Sequence, residues 1–253
     1  MADETVSHRL GTHAVLRIVE VFGPTIQGEG PAVGRAAYLL RLAGCNLTCD
    51  WCDTAFSWDP DREDPERPPR DITAAAVLAL LDPRTNDSSA PPPSVRRLVV
   101  TGGEPLLQAA QLVDVLSSLV ALGWVVEVET SGSVSPGPLA VLVDQFNVSP
   151  KLAHSGVSER ARLRLRVLDE FARLPSASFK FVVEESADLD EVAQLLGQLC
   201  VPVSPDRVFV MAQGTDPGLL LKRSKDLADA VTSRGWGLTP RWHALLWADE
   251  RGR

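Results

Sequence analysis

Apolar, β-branched stretches alternate with helical ones from Ala14 onwards, and this alternation leaves the chain few architectures. Strands are expected over 14–21, 36–42, 97–100, 124–129, 142–148, 177–184 and 207–212. Helices are expected over 72–81, with Asp71 or Thr73 as N-cap, and over 106–122, 159–174, 189–200 and 218–234. Residues 236–247 read as a closing strand or an extended tail. Such alternation implies an α/β fold with a parallel sheet, open or closed into a barrel. Its functional edge is where strands end. At that edge stand Thr101-Gly102-Gly103-Glu104-Pro105, Thr130-Ser131-Gly132-Ser133, Ser149-Pro150-Lys151 and Gln213-Gly214-Thr215-Asp216. Each alone fits a loop without a role; together they argue for one shared site.

Three of the chain's four cysteines, Cys45, Cys49 and Cys52, share one short loop at the spacing C-x3-C-x2-C. Soft thiolates this close suit an iron–sulfur cluster, and three ligands leave one iron open to another partner. Trp51, between two of them, would shield the centre from water. A structural zinc site wants a fourth ligand. Cys200 stands alone and reads as a buried helix residue, and His8, His13, His154 and His243 form no second pair. A disulfide between cysteines so near one another would be strained.

Around this loop lie further candidates. Gly23 to Pro31 holds too many glycines and prolines for regular structure. It can be a plain surface loop, or a segment whose backbone approaches a ligand while Gln27 and Glu29 offer polar edges. Arg41 is the one charge in an apolar strand. It can be a solvated strand end or a fork that grips a carboxylate. Glu104, beside two glycines, could accept hydrogen bonds from an ammonium group.

The net charge is −8, with no basic run, which argues against a nucleic-acid surface. Residues 1–9 lack the apolar core of a signal peptide, and no apolar run is long enough to span a bilayer. A cytoplasmic location is therefore expected. The chain reads as one domain over 1–253, with a flexible start over about 1–12 and polar insertions at about 57–70 and 82–95. The first insertion is expected to have little capacity to pack.

The cysteine triad together with Gly102-Gly103-Glu104-Pro105 resembles the radical S-adenosylmethionine (SAM) superfamily. A closer resemblance, from about Val19 to Trp247, is to the 7-carboxy-7-deazaguanine synthase family. It rests on Thr25-Ile26-Gln27-Gly28-Glu29-Gly30, Cys52-Asp53-Thr54, Thr101 to Pro105, Glu129-Thr130-Ser131-Gly132, Ser149-Pro150-Lys151 and Arg241-Trp242-His243. Two features depart from the family pattern: no proline follows Gln213, and the tail past His243 is not the compact ending seen in some members.

The resemblance implies a partial, modified (β/α) barrel of the radical SAM type, holding a 4Fe–4S cluster, SAM and Mg2+. It implies a lyase that contracts 6-carboxy-5,6,7,8-tetrahydropterin to 7-carboxy-7-deazaguanine with loss of ammonia, on the way to queuosine-type 7-deazapurines. Cys45, Cys49 and Cys52 would hold the cluster and Thr54 the magnesium. Ile26, Gln27, Gly28, Arg41, Thr101 and His243 would bind the pterin. Gly103, Glu104, Glu129, Ser131, Ser149, Pro150, Lys151 and Gln213, Gly214, Thr215 and Asp216 would bind SAM. The expected partners are a reducing electron donor such as flavodoxin or ferredoxin and a second copy in a homodimer, with no nucleic acid and no membrane. The rival readings are a glycyl-radical-enzyme activase of the same superfamily and a non-catalytic zinc-binding module.

Overall fold

In the computed structural model, which describes residues 14–82, 84, 93–248 and 250–252, nine strands form one sheet. They are β1 (Val15–Ile26), β2 (Ala36–Leu42), β3 (Arg70–Thr73), β4 (Arg97–Gly102), β5 (Val125–Thr130), β6 (Gln145–Val148), β7 (Ala177–Val183), β8 (Val208–Ala212) and β9 (Gly237–Thr239). Their spatial order is β3-β1-β2-β4-β5-β6-β7-β8-β9. β1 pairs antiparallel with β2 and β3, and every pairing from β2 to β9 is parallel. The sheet does not close, as a partial barrel requires.

The helices are α1 (Ala74–Leu81), α2 (Ala109–Ala121), α3 (Glu159–Arg162), α4 (Leu165–Arg173), α5 (Asp188–Gly197), α6 (Pro217–Thr232) and α7 (Trp242–Trp247). Leu112, Val115, Leu116 and Leu119 of α2 recur at helical spacing and are fully buried, so this face packs on the sheet. Phe146 on β6 meets Phe171 on α4 edge to face, with ring centroids 5.3 Å apart. β7 is buried along its whole length, as expected of a strand covered on both sides.

Several sequence expectations are corrected. β1 does not stop at residue 21 but runs on to Ile26, through the glycine and the proline thought to exclude it. An irregularity between Phe22 and Thr25 admits Gly23-Pro24. Gly23, at φ 134°, lies so close to β2 that a Cβ would sit 2.9 Å from the Ala37 carbonyl oxygen.

The 159–174 helix is two helices, broken at Leu163 and Arg164. The buried Arg162 is drawn inward there, donating from Nη1 to the Lys151 carbonyl at 2.8 Å and pairing with Glu191. Cys200 is neither helical nor buried: α5 ends at Gly197, and the thiol beyond it is exposed. Residues 236–247 divide into β9 and α7 rather than one strand or an extended tail.

The first polar insertion has local structure but packs little, with Ser57 its one buried residue and most of the rest exposed. It forms short turns at Ala55–Ser57 and Pro60–Arg62, and its end becomes the edge strand β3. The Gly44 amide, in the cysteine loop, donates to the Ser57 carbonyl at 2.8 Å. Of the two N-cap candidates, Thr73 caps α1, accepting from the Ala76 amide at 3.2 Å. The expected flexible start and most of the second insertion lie outside the described residues.

Candidate active site

A cavity of about 490 Å3 opens at the C-terminal edge of the parallel strands, within the size range of small-molecule sites. Cys45, Cys49, Cys52 and Thr54 line it, together with Ile26, Gln27, Gly28, Arg41, Thr101 and His243. Gly103, Glu129, Ser131, Ser149, Lys151, Gln213 and Thr215 complete the set of sequence candidates on its wall. Glu104, Pro150, Gly214 and Asp216 are not on that wall. Asp216 is the N-cap of α6, accepting from the Leu219 amide at 2.7 Å. The Gly214 carbonyl accepts from Arg241 Nη1 at 2.5 Å.

The cysteine loop lies directly on the glycine pair. A Cβ on Gly103 would stand 2.0 Å from the Gly44 carbonyl oxygen, and one on Gly102 would stand 2.2 Å from that of Leu42. The Glu104 amide donates to Gly44 O at 2.9 Å. Only residues without a side chain let the two backbones meet so closely. Glu104 itself is buried and fully engaged. Its oxygens accept from the Leu106 amide (3.2 Å), Thr130 Oγ1 (2.8 Å), the Ser131 amide (2.8 Å) and Ser131 Oγ (2.5 Å). The chain continues through Ser133 Oγ to Asn46 in the cysteine loop, so Glu104 ties the ends of β4 and β5 to that loop.

The three thiols are partly buried. Burial, more than the nearby Glu104 charge, pushes the Cys45 thiol up to about 11 and raises Cys49 as well. Metal ligation therefore has to displace protons from them. Trp58 Nε1 donates to Cys52 Sγ at 3.3 Å, the kind of N–H···S bond that surrounds cluster ligands. Trp51 stacks on His154 at 5.6 Å, and Lys151 Nζ lies 5.7 Å from the Trp51 ring. No three His, Cys, Asp or Glu side chains among the described residues could hold one ion together. A cubane places its thiolates on separate irons, so three thiols around one wall fit a 4Fe–4S cluster.

The opposite end is charged. Lys180 Nζ donates to Glu29 Oε2, and Arg241 donates to Asp53 Oδ2. Arg241 Nε and His243 Nε2 lie 3.5 and 3.6 Å from Glu29 Oε1. Burial alone would raise the Glu29 carboxyl; Lys180, His243 and Arg241 outweigh it and hold the group well below the usual carboxylate range. Burial likewise disfavours the Lys180 charge, but Glu29 and Glu129 outweigh it and raise its pKa.

Gln27 Nε2 donates to Glu127 and Glu129, at 3.1 and 3.3 Å, and Thr101 Oγ1 donates to Glu129 at 2.8 Å. Glu129, expected beside SAM, thus stands with the expected pterin contacts. Gly28 leaves room for the tail: a Cβ there would lie 2.4 Å from His243 Nδ1. Arg41 pairs with Glu20, its Nε 2.8 Å from Oε1.

A family model described as a 4Fe-4S single cluster domain matches residues 26–124. The 7-carboxy-7-deazaguanine synthase of Pyrobaculum aerophilum is 36% identical over 240 residues, covering 94% of this chain and 97% of the relative. The chain belongs to the 7-carboxy-7-deazaguanine synthase family. Within that family, the Hyperthermus butylicus enzyme is 34% identical over 92% of this chain, and the Bacillus subtilis one 30% over 93%. The crystal structure of QueE from Escherichia coli has the same fold, with a TM-score of 0.66 at 23% identity over 90% of this chain.

The cavity wall of this member of the 7-carboxy-7-deazaguanine synthase family also includes residues that sequence reasoning missed: Glu20, Trp58, Lys180 and Arg251. Lys180 had a signal, as a lone charge in an otherwise apolar strand. Glu20 faces Arg41 in the β1–β2 register, which only pairing reveals. Trp58 and Arg251 lay in stretches with no pattern to mark them.

Proposed function

We propose that this chain catalyses the radical ring contraction of 6-carboxy-5,6,7,8-tetrahydropterin to 7-carboxy-7-deazaguanine, with release of ammonia. The observation that carries this reading is one cavity lined by both the three-thiol loop and the Gln27–Gly28/Arg41/His243 group, in a member of this synthase family. The assignment makes it a lyase acting with SAM and Mg2+ in queuosine-type biosynthesis. It would work in the cytoplasm as a homodimer with a reducing partner such as flavodoxin or ferredoxin.

Cys45, Cys49 and Cys52 would hold the cluster, and Gly103, Ser131, Ser149 and Lys151 would hold SAM. When bound, the cluster and SAM would supply the radical chemistry that the ring contraction needs. The protein's part is orientation and exclusion of water. The apposed backbones of Gly44 and Gly103 set the cysteine loop against the SAM segment. Gln27 and Thr101 are held in place by Glu127 and Glu129, so the pterin end is organised before substrate arrives. Arg41 presents a guanidinium to the substrate carboxylate. The Thr54 hydroxyl, on the same wall as Cys52, offers the hard oxygen donor that magnesium prefers.

Anaerobic assay of the reconstituted protein with SAM, reductant and the carboxylated tetrahydropterin tests the proposal. 7-Carboxy-7-deazaguanine should form; cleavage of SAM without that product would sink the assignment while leaving the superfamily chemistry. Thr54→Ala should shift the magnesium dependence of activity and leave iron content unchanged. Superimposable magnesium curves would leave Thr54 without a metal role.

A further inference from the structure

Two guanidiniums share one carboxylate on the cavity wall. Arg41 Nε donates to Glu20 Oε1 at 2.8 Å, and Arg251 Nε, from the C-terminal turn, donates to Glu20 Oε2 at 3.0 Å. Arg251 Nη1 reaches Asp64 Oδ2 at 2.7 Å, which ties the tail to the first polar insertion. Both guanidiniums face the ring of Phe56, 5.8 Å (Arg41) and 4.4 Å (Arg251) from its centroid. Glu20, Phe56, Arg41 and Arg251 all line the cavity that holds the three thiols.

These contacts leave donors over. Glu20 spends one oxygen on each arginine, so neither guanidinium has a bidentate partner in it. Arg251 Nη2 is buried and has no hydrogen-bond partner. Arg41 has no acceptor among the described residues other than Glu20. Buried polar groups are nearly always satisfied, and an exception calls for an explanation such as a ligand. A carboxylate is the group that guanidinium N–H donors match best.

We propose that Arg251 is a second recognition residue for the substrate's carboxylate, acting beside Arg41 across the shared Glu20. Glu20 and the Phe56 ring hold the two guanidiniums in place, and their remaining N–H groups serve the incoming acid. The C-terminal turn is then part of the substrate site and selects carboxylated over uncarboxylated pterins. This inference rests on the carboxypterin reading above.

The test uses the cluster-loaded enzyme. Anaerobic equilibrium binding is measured for 6-carboxytetrahydropterin and for tetrahydropterin lacking the carboxylate, in wild type, Arg251→Gln and Arg251→Lys. Arg251→Gln should weaken the carboxylated ligand roughly tenfold or more and leave the other within about twofold. Arg251→Lys, which keeps the charge but loses the fork, should fall between and covers the case in which the glutamine variant does not fold.

Equal weakening of both ligands would make Arg251 a structural strap, and no change for either would remove it from the site; both outcomes overturn the inference. If wild type itself neither binds nor converts the carboxylated pterin, the proposed function fails. If wild type converts and discriminates, and the variants discriminate equally well, only the role of Arg251 fails.

Discussion

The two ends of the cavity are built in opposite ways. At the cluster end, three thiols come from one loop of eight residues, Cys45 to Cys52, and close backbone contact with Gly102 and Gly103 sets their position. At the substrate end, the partners come from far apart in the chain: Glu29 and Lys180 are 151 positions apart, and Asp53 and Arg241 are 188 apart. The cluster end depends on close backbone approach and partly buried thiols. The substrate end depends on buried charges that compensate one another. Ligand identity should therefore dominate at the first end and charge balance at the second.

The largest expected effect is at the cluster end. Cys45→Ala, Cys49→Ala and Cys52→Ala should each abolish cluster assembly and SAM cleavage, because in the proposed site each thiolate would anchor its own iron. Cys200→Ala should leave both intact, since that thiol is exposed and not on the cavity wall. Iron analysis and the absorbance of the reconstituted proteins decide. Full iron content without Cys49, or its loss without Cys200, would break the assignment.

Next is Glu29→Gln, which leaves Lys180 buried without its ion-pair partner and Arg241 with Asp53 alone. Removing one partner of a buried pair typically costs about 3–5 kcal/mol. The sign of the pH effect follows from the lowered Glu29 pKa. Its stabilisation is complete above the unfolded value of about 4.3 and is lost as pH falls through the lower folded value. Wild type should thus lose stability on acidification below about pH 4.3, and the variant should lose less over that window. Denaturant titrations at several pH values would show it; parallel curves would mean that the carboxylate is not balancing those cations.

Arg41→Lys keeps the charge opposite Glu20 but removes the fork. The KM for the carboxylated pterin should rise roughly tenfold or more, the ratio that about 1.4 kcal/mol represents. SAM cleavage without substrate should hardly change. A lower Tm with an unchanged KM would make Arg41 a structural ion-pair residue.

The smallest effect should come from Trp58→Phe. The lost N–H···S bond to Cys52 favours the more negative, reduced cluster, so the midpoint potential should become lower while iron content stays constant. An unchanged potential would make Trp58 a packing residue only.

The same contrast explains what could be read early. The parallel strands were legible because buried β-strands keep their apolar character, as in β8 over its whole length and in Leu98 to Val100 of β4. The glycine pair was legible because it joins a strand to a helix. The extension of β1 past Gly23 was not, because a bulge can absorb residues that local rules exclude from a strand. The break in the 159–174 helix was hidden too: it coincides with Arg162 reaching the Lys151 carbonyl, a contact with no local sequence signal.

By itself the sequence determined the alternating α/β framework, the cysteine loop and the edge on which the site lies, since periodicity and spacing are local properties. Only the tertiary structure decided that Glu104 is consumed in tying loops together, that Lys180 and Arg241 balance Glu29, and that Arg251 returns to share Glu20 with Arg41. A charge inside a protein acquires its role from the partners that burial brings to it, and those partners have no fixed separation along the chain.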